Sequence, residues 1–298
     1  MSEFYPGHHA LARFKWALID ASARQDLPPH WPTTVVAPAF LGDDTDRCPA
    51  LIDLLALPVA ERVEWCDALH HDTLALRDTP ASLLIAADSS AQRLATHFAQ
   101  RMVIRPPGQD RPMQWRFFDP GTCLQMPRVL GTAGMAWLMG PASAFMVPWA
   151  GEWTLIGRPE PSSELPDTDT RQYRLKPEQL AALSRLGIIN RALMQGQPTR
   201  NATEWMAQSE RLDAIVLRAQ SHSLSHRDDL ATYAHHAHTV HPRIHEHPRM
   251  QALLAQLRNA HPDDELDYRG LTAAIEPEAW RVMAAELQSS SHQEEIHP

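Results

Sequence analysis

Lysine is nearly absent: Lys15 and Lys176 are the only two among 27 basic residues, which face 36 acidic ones for a formal net charge of −9. Polyanion binding needs clustered cations to neutralise phosphates. Both halves of the chain, divided at Gly157, are mildly acidic, so nucleic acid is excluded as the main partner. Glycine is scarce too, 12 in 298 residues, so few loops can bring backbone N–H groups against a phosphate. No Gly-x-x-x-x-Gly-Lys-Ser/Thr loop and no His-Glu-x-x-His helix is present. The three cysteines, Cys48, Cys66 and Cys123, are widely spaced and form no Cys-x-x-Cys, which points to buried thiols in a reducing cytoplasm rather than a disulfide or zinc knot. No apolar run approaches the ~20 residues of a membrane helix. The first twenty residues mix His8, His9, Arg13 and Lys15 among apolar positions and hold no signal core, so neither membrane insertion nor a cleaved signal peptide is expected. These absences together place the protein in the cytoplasm.

What is present is enough for a core. Hydrophobic residues make up 44% and charged residues 21%, and 298 residues suggest about two domains. Up to Gly157 the pattern alternates short apolar runs with amphipathic stretches. Strands are expected at Trp16 to Asp20, Thr33 to Ala37 and Ser82 to Ala87, the last apolar enough to be covered on both faces. Others are expected near Val103 and over Gln114 to Phe118, with a closing hairpin of Phe145 to Val147 and Trp153 to Ile156. A helix over Pro58 to Ala75 carries Val63, Cys66, Leu69 and Leu74 on one stripe. Another follows a Ser89–Gln92 capping box and carries Leu94, Phe98 and Met102. Asp119–Pro120 reads as a helix cap with proline at the first helical position. The expectation for residues 1–157 is an α+β or α/β lobe with a mixed sheet and flanking helices.

Arg158 to Thr170 changes character: Pro159, Pro161 and Pro166 stand among acidic residues, Ser and Thr with no apolar period, as in a linker. Beyond it the periodicity is helical. Leu180, Leu183, Leu186, Ile189 and Leu193 mark a helix over Pro177 to Gln195; others are expected at Thr203 to Gln220, Asp228 to Val240, Pro248 to Asn259 and Pro277 to Leu287. Residues 171–298 therefore read as an all-α lobe with a polar, frayed tail from Ser289.

Candidate chemistry is thin. Gly140-Pro-Ala-Ser143 lacks the flanking glycines of a nucleophile elbow, so Ser143 is not a nucleophile candidate. Eight of the 17 histidines crowd into His222 to His247. On one continuous helix His235, His238, His241 and His245 would share a face as metal ligands could, but Pro242 interrupts it and no Asp or Glu is interleaved from Thr232 to His245. The expectation is surface or interface histidines, with no metal and no cofactor; a metal-dependent enzyme using this cluster is the alternative. Nine tryptophans are mostly core candidates. Trp31, between His30 and Pro32, and Trp205 are expected to be the more exposed, and with Arg191 they are the candidate partner anchors.

One segment resembles a known family. Leu94-Ala-Thr-His97-Phe98 is similar to its Leu-x-x-His-Leu helix, and Arg116-Phe-Phe118-Asp119-Pro120 to its Arg-Phe-(Phe/Tyr)-Asp-Pro signature. Gly140-Pro141 followed by Gly151-Glu-Trp153 is similar to its Gly-Pro and Asp-Gly-x-Trp ending, and Ala17-Leu-Ile-Asp20-Ala21 to its first strand. Tyr173-Arg-Leu followed by Glu178-Gln179 is similar to its entry into a helical region. Over residues 14 to 157 the chain resembles the "domain of unknown function 4123" family, the effector adaptors, or chaperones, of bacterial type VI secretion. Two features depart from it: Gly108-Gln-Asp-Arg111 replaces an acidic–glycine turn, and Gly121 and Pro127 follow Asp119. The resemblance implies a non-enzymatic protein that binds a toxin effector in the cytoplasm and delivers it to the valine–glycine-repeat spike. A structural component of the secretion baseplate is a second possibility. Asp20, His97, Arg116, Phe118, Asp119, Pro120, Gly140, Pro141 and Trp153 are read as structural positions of the motif, with Asp119 capping a helix and Arg116 paired nearby.

Overall fold

The computed structural model describes residues 14–74, 81–104, 112–149, 152–160, 174–196, 199–222, 224–261 and 266–296. The chain divides into two compact units, Met1–Ala181 with Thr199–Trp205, and Ala182–Pro198 with Met206–Pro298. The division runs through the Pro177–Met194 and Ala202–Ser221 helices, whereas the change of composition lies at Arg158 to Thr170. That acidic stretch beyond Glu160, the Gly108–Arg111 turn and Tyr173 lie outside the described residues.

In the first unit the strands are β1 (Trp16–Ile19), β2 (Thr33–Val35), β3 (Ala50–Asp53), β4 (Ala81–Ala86), β5 (Val103–Ile104), β6 (Met113–Gln114), β7 (Ala144–Trp149) and β8 (Glu152–Gly157). Six form one sheet in the order β2-β3-β1-β4-β7-β8, and β5 pairs with β6 separately. Every pairing is antiparallel. The lobe is thus α+β, and its sheet is antiparallel rather than mixed. Strand–helix alternation suggested a mixed sheet, but the helix Val59–Leu74 carries the chain from β3 across to β4, and β1 lies between them antiparallel to both.

Register separates two apolar faces. Ala17 sits between Ile52 and Leu84, and Leu84 opposite Met146; with Trp31, Cys66, Leu69 and Trp153 these form one core. The helix supplying Cys66 and Leu69 is Val59–Leu74. Alternate residues such as Phe145, opposite Ile85 and Ile156, point the other way and meet Phe98 of the Ala91–Arg101 helix at 6.0 Å between ring centroids. Cover on both faces explains why the inner strands are apolar throughout; β4 is buried except at Ala86. The Gln114 to Phe118 strand is cut to β6, since Trp115, Phe117 and Phe118 turn inward as an aromatic cluster.

Among its described residues the second unit is helical. It contains the Ala182 and Met206 continuations of the two shared helices, then Arg227–Thr239, Pro248–Asn259, Tyr268–Ala273 and Pro277–Ile296. The last runs well past the expected Leu287, through the residues read as a frayed tail. Arg185 pins the first helix to the second through a two-pronged bond to Asp213, Nε to Oδ1 at 2.5 Å and Nη2 to Oδ2 at 3.3 Å. Tyr233 and Tyr268, both fully buried, pack edge-on at 5.6 Å. Among the described residues no helix is long and apolar enough to cross a membrane.

Candidate functional site

The Ala91–Arg101 helix begins at Ser90, whose hydroxyl accepts the Arg93 N–H at 3.3 Å. The cap is therefore one residue later than the Ser89–Gln92 box expected. Leu94, Ala95, Phe98 and Ala99 turn into the core. That leaves two rows at helical spacing on the outer flank: Ser90, Arg93, His97 and Arg101, and beside them Gln92, Thr96 and Gln100. With Gly140, Pro141 and Arg158 these residues line an open groove of about 710 Å³. Of the described residues lining it, none is acidic and three are arginines.

His97 is the hinge of this wall. Its Nε2–H donates to the Leu138 carbonyl at 2.9 Å. Burial, opposed by that bond and reinforced by Arg101, Arg158 and Arg93, pushes the imidazole down to about 4, so the ring is neutral. Gly140, at φ +54°, lies flat against it: a Cβ there would sit 2.1 Å from His97 Cε1. The Gly-Pro pair is needed because the helix Met126–Met139 must end and turn within contact of the ring. Arg101 is held, its Nε donating to the Trp137 carbonyl at 3.0 Å and its guanidinium 4.5 Å above the Trp137 ring. Arg93 and Arg158 are exposed.

The other motif residues make a clamp. Arg116 bonds Asp119 (Nε to Oδ1, 2.9 Å), also bonds Asp20, and lies 5.0 Å over the Phe118 ring. Asp20 in turn accepts the Ser22 N–H at 2.9 Å and the Ser22 hydroxyl at 2.7 Å, capping the Ala21–Arg24 turn that follows β1. Burial works against the Asp20 charge, but the bonds from Ser22 and Arg116 outweigh it and hold the carboxyl below its ordinary range. Asp119 differs from expectation. It precedes the Pro120–Cys123 turn, but its side chain makes no cap bond, because Arg116 occupies it. Phe118 and Trp153 are buried.

Comparison with protein-family models, curated proteins and solved structures finds no match.

The remaining candidates fall elsewhere. Trp31 is buried, not exposed: its indole donates to Glu61 at 2.7 Å and meets Trp65 edge-on at 5.9 Å. Polar neighbours suggested a loop surface, yet a carboxylate from the Val59–Leu74 helix satisfies the N–H and lets the ring sink. Trp205 is fully buried as well, its ring tilted against that of Trp149 at 4.1 Å between centroids and its indole donating to the Gly121 carbonyl at 3.3 Å. Gly121, a departure from the family pattern, has a reason here: a Cβ would lie 3.2 Å from both indoles. Arg191 is exposed but paired with Asp228.

The four histidines do not converge. The Arg227–Thr239 helix ends before His241, and His245 lies in a separate 3₁₀ turn, Ile244–Glu246. His235 Nδ1 bonds the Ala192 carbonyl at 3.2 Å, and His238 lies on the same helix. Among the described residues no group of three His, Cys, Asp or Glu is placed to hold a metal ion. Ser143 donates its hydroxyl to the Ala86 carbonyl at 3.1 Å. The three cysteines are buried and unpaired, and burial pushes the Cys66 thiol up to about 12. The groove and clamp use Arg93, Arg101 and Arg158, and the pairing of Asp20 with Arg116 across 96 residues, none of which the sequence singled out as a set. The only available signal was the four-residue spacing Arg93, His97, Arg101.

Proposed function

We propose that this protein is a non-enzymatic adaptor that binds a toxin effector of type VI secretion in the cytoplasm and helps load it onto the valine–glycine-repeat spike. The observation that carries the reading is that two of the resembling segments, Leu94 to Phe98 and Gly140-Pro141, meet at one open groove. Their side chains there are donors and packing groups: His97 is spent on a carbonyl, and Gly140 exists to make room for it. The third segment, Arg116 to Pro120, is spent on locking the end of β1. Such a surface suits recognition of a protein segment rather than turnover of a substrate.

Affinity capture on the full-length protein in its native strain tests this. A co-purifying toxin together with the spike is the expected result. Capture of neither overturns it, and stable assembly with sheath or baseplate proteins without any effector would instead make the protein a structural component.

A further inference from the structure

We infer that the groove along the Ala91–Arg101 helix takes an extended, acidic segment of the partner protein, with carboxylates engaging Arg93, Arg101 and Arg158. The identity of that partner rests on the adaptor reading; the chemistry rests on the groove. Three guanidinium groups meet there with no acidic residue among the described lining, on a chain whose formal net charge is −9. The groove is a local inversion of charge, and an acidic partner repelled elsewhere is directed to it. Arginine is suited to the task because its planar fork donates two parallel hydrogen bonds to a carboxylate.

The spacing sets the shape of the ligand. Arg93 and Arg101 lie eight residues apart on one helix, about 12 Å at ~1.5 Å per residue. That is the span of about four residues of extended chain at ~3.3 Å each. Arg101 is fixed by Trp137 beneath it, while Arg93 and Arg158 are exposed and can close on the segment. At the Arg93 end the groove also includes Ser90, the start of the helix, where partial positive charge favours an anion. A lone phosphate offers one anionic centre, whereas a peptide with carboxylates several residues apart can engage arginines spaced along the helix at once. Nucleic acid would bring many more phosphates against a chain that is acidic overall.

The test uses the full chain and fluorescein-labelled hexaglutamate and hexalysine peptides, with inorganic phosphate as competitor. Hexaglutamate binding is expected, weakening as salt rises, absent for hexalysine, and about tenfold weaker in the Arg93→Glu/Arg158→Glu variant. Both arginines are exposed, so the variant should keep the wild-type melting temperature and circular dichroism. Equal hexaglutamate affinity in wild type and variant overturns the inference, and so does phosphate competing as effectively as unlabelled peptide. Affinity capture separates the two readings. If the variant captures effector and spike as well as wild type does, the groove inference fails and the adaptor reading stands. If peptide binding follows the groove but no secretion partner is captured, the adaptor reading fails and the groove chemistry stands.

Discussion

Gly140 shows how a single residue can carry two constraints. Its φ of +54° is strained for any other residue, and the His97 ring occupies the space of a side chain. Gly140→Ala should therefore cost about 2–4 kcal/mol, read from urea unfolding, through overpacking and backbone strain together. The two causes can be parted. In Gly140→Ala/His97→Ala the ring is gone and only the backbone term remains, so the double variant should be less destabilised than the sum of the singles. Additive effects would show that His97 is not the obstruction. Asp20 and Arg116 invite a second cycle. Asp20→Asn and Arg116→Gln should each cost about 1–2 kcal/mol, with a coupling on the order of 1 kcal/mol between them, since each removes a charge-assisted bond from a partly exposed clamp. A coupling near zero would mean the pair adds nothing beyond the Ser22 and Asp119 bonds.

At the scale of elements, histidine is where the sequence was most suggestive and the structure most instructive. A face of His235, His238, His241 and His245 requires one helix, but the chain leaves the helix at Thr239, so the periodicity is broken before its third member. The rings are instead spent on packing. His236 lies 4.3 Å from Trp280 and bonds the Tyr268 hydroxyl at 3.1 Å; His222 faces His245 at 5.3 Å and Tyr233 at 6.4 Å. Burial pushes His236 down to about 4, as it does His97, and lowers His222 and His245 from their ordinary value of 6.5, with Arg218 adding to both. Proton uptake then favours the unfolded chain. Stability should be full above about pH 6.5, fall as pH drops through that value, and level near pH 4, by a few kcal/mol in all. Urea unfolding between pH 4.5 and 7.5 measures this, and His236→Gln should flatten the slope. A stability curve flat over that range would show that these rings take up protons in the folded protein as readily as in the unfolded chain.

The same scale shows what could be read in advance. Strands β1, β4 and β7 were legible because burial on both faces writes an unbroken apolar run, and β8, an edge strand with Leu155 exposed, as the second arm of a hairpin. Strand β3 was not, since Ala50 to Asp53 runs without a break into Leu54-Leu-Ala-Leu57 and shows no alternation. The long helices were legible from their period; Tyr268–Ala273, too short to show one, was not. The groove was half legible. Arg93, His97 and Arg101 follow from helical spacing, but Gly140 and Arg158 are brought there by the antiparallel return of β7 and β8.

At the scale of the molecule, the division between units is decided by one short segment. Thr199–Trp205 belongs by its contacts to the strand-bearing unit, although the residues on either side, Ala182–Pro198 and Met206 onward, belong to the helical one. The reason is local. Trp205 packs against Trp149 at the end of β7 and donates to the Gly121 carbonyl, while the Trp149 indole donates to the Thr199 carbonyl at 3.1 Å. A side chain read from sequence as an exposed anchor thus completes the core of a sheet whose last strand ends at Gly157, 48 residues earlier. If that is its role, Trp205→Ala should cost about 3–5 kcal/mol, as for a buried aromatic, rather than the few tenths expected of an exposed one. The loss should appear in the unfolding of the strand-bearing unit, reported by the near-ultraviolet signal of its tryptophans. A fragment ending at Glu160 should show the same loss, because it lacks Trp205 altogether, and a fragment ending at Ser221 should recover it. A Trp205→Ala protein as stable as wild type would show that the indole adds nothing to the core of the strand-bearing unit.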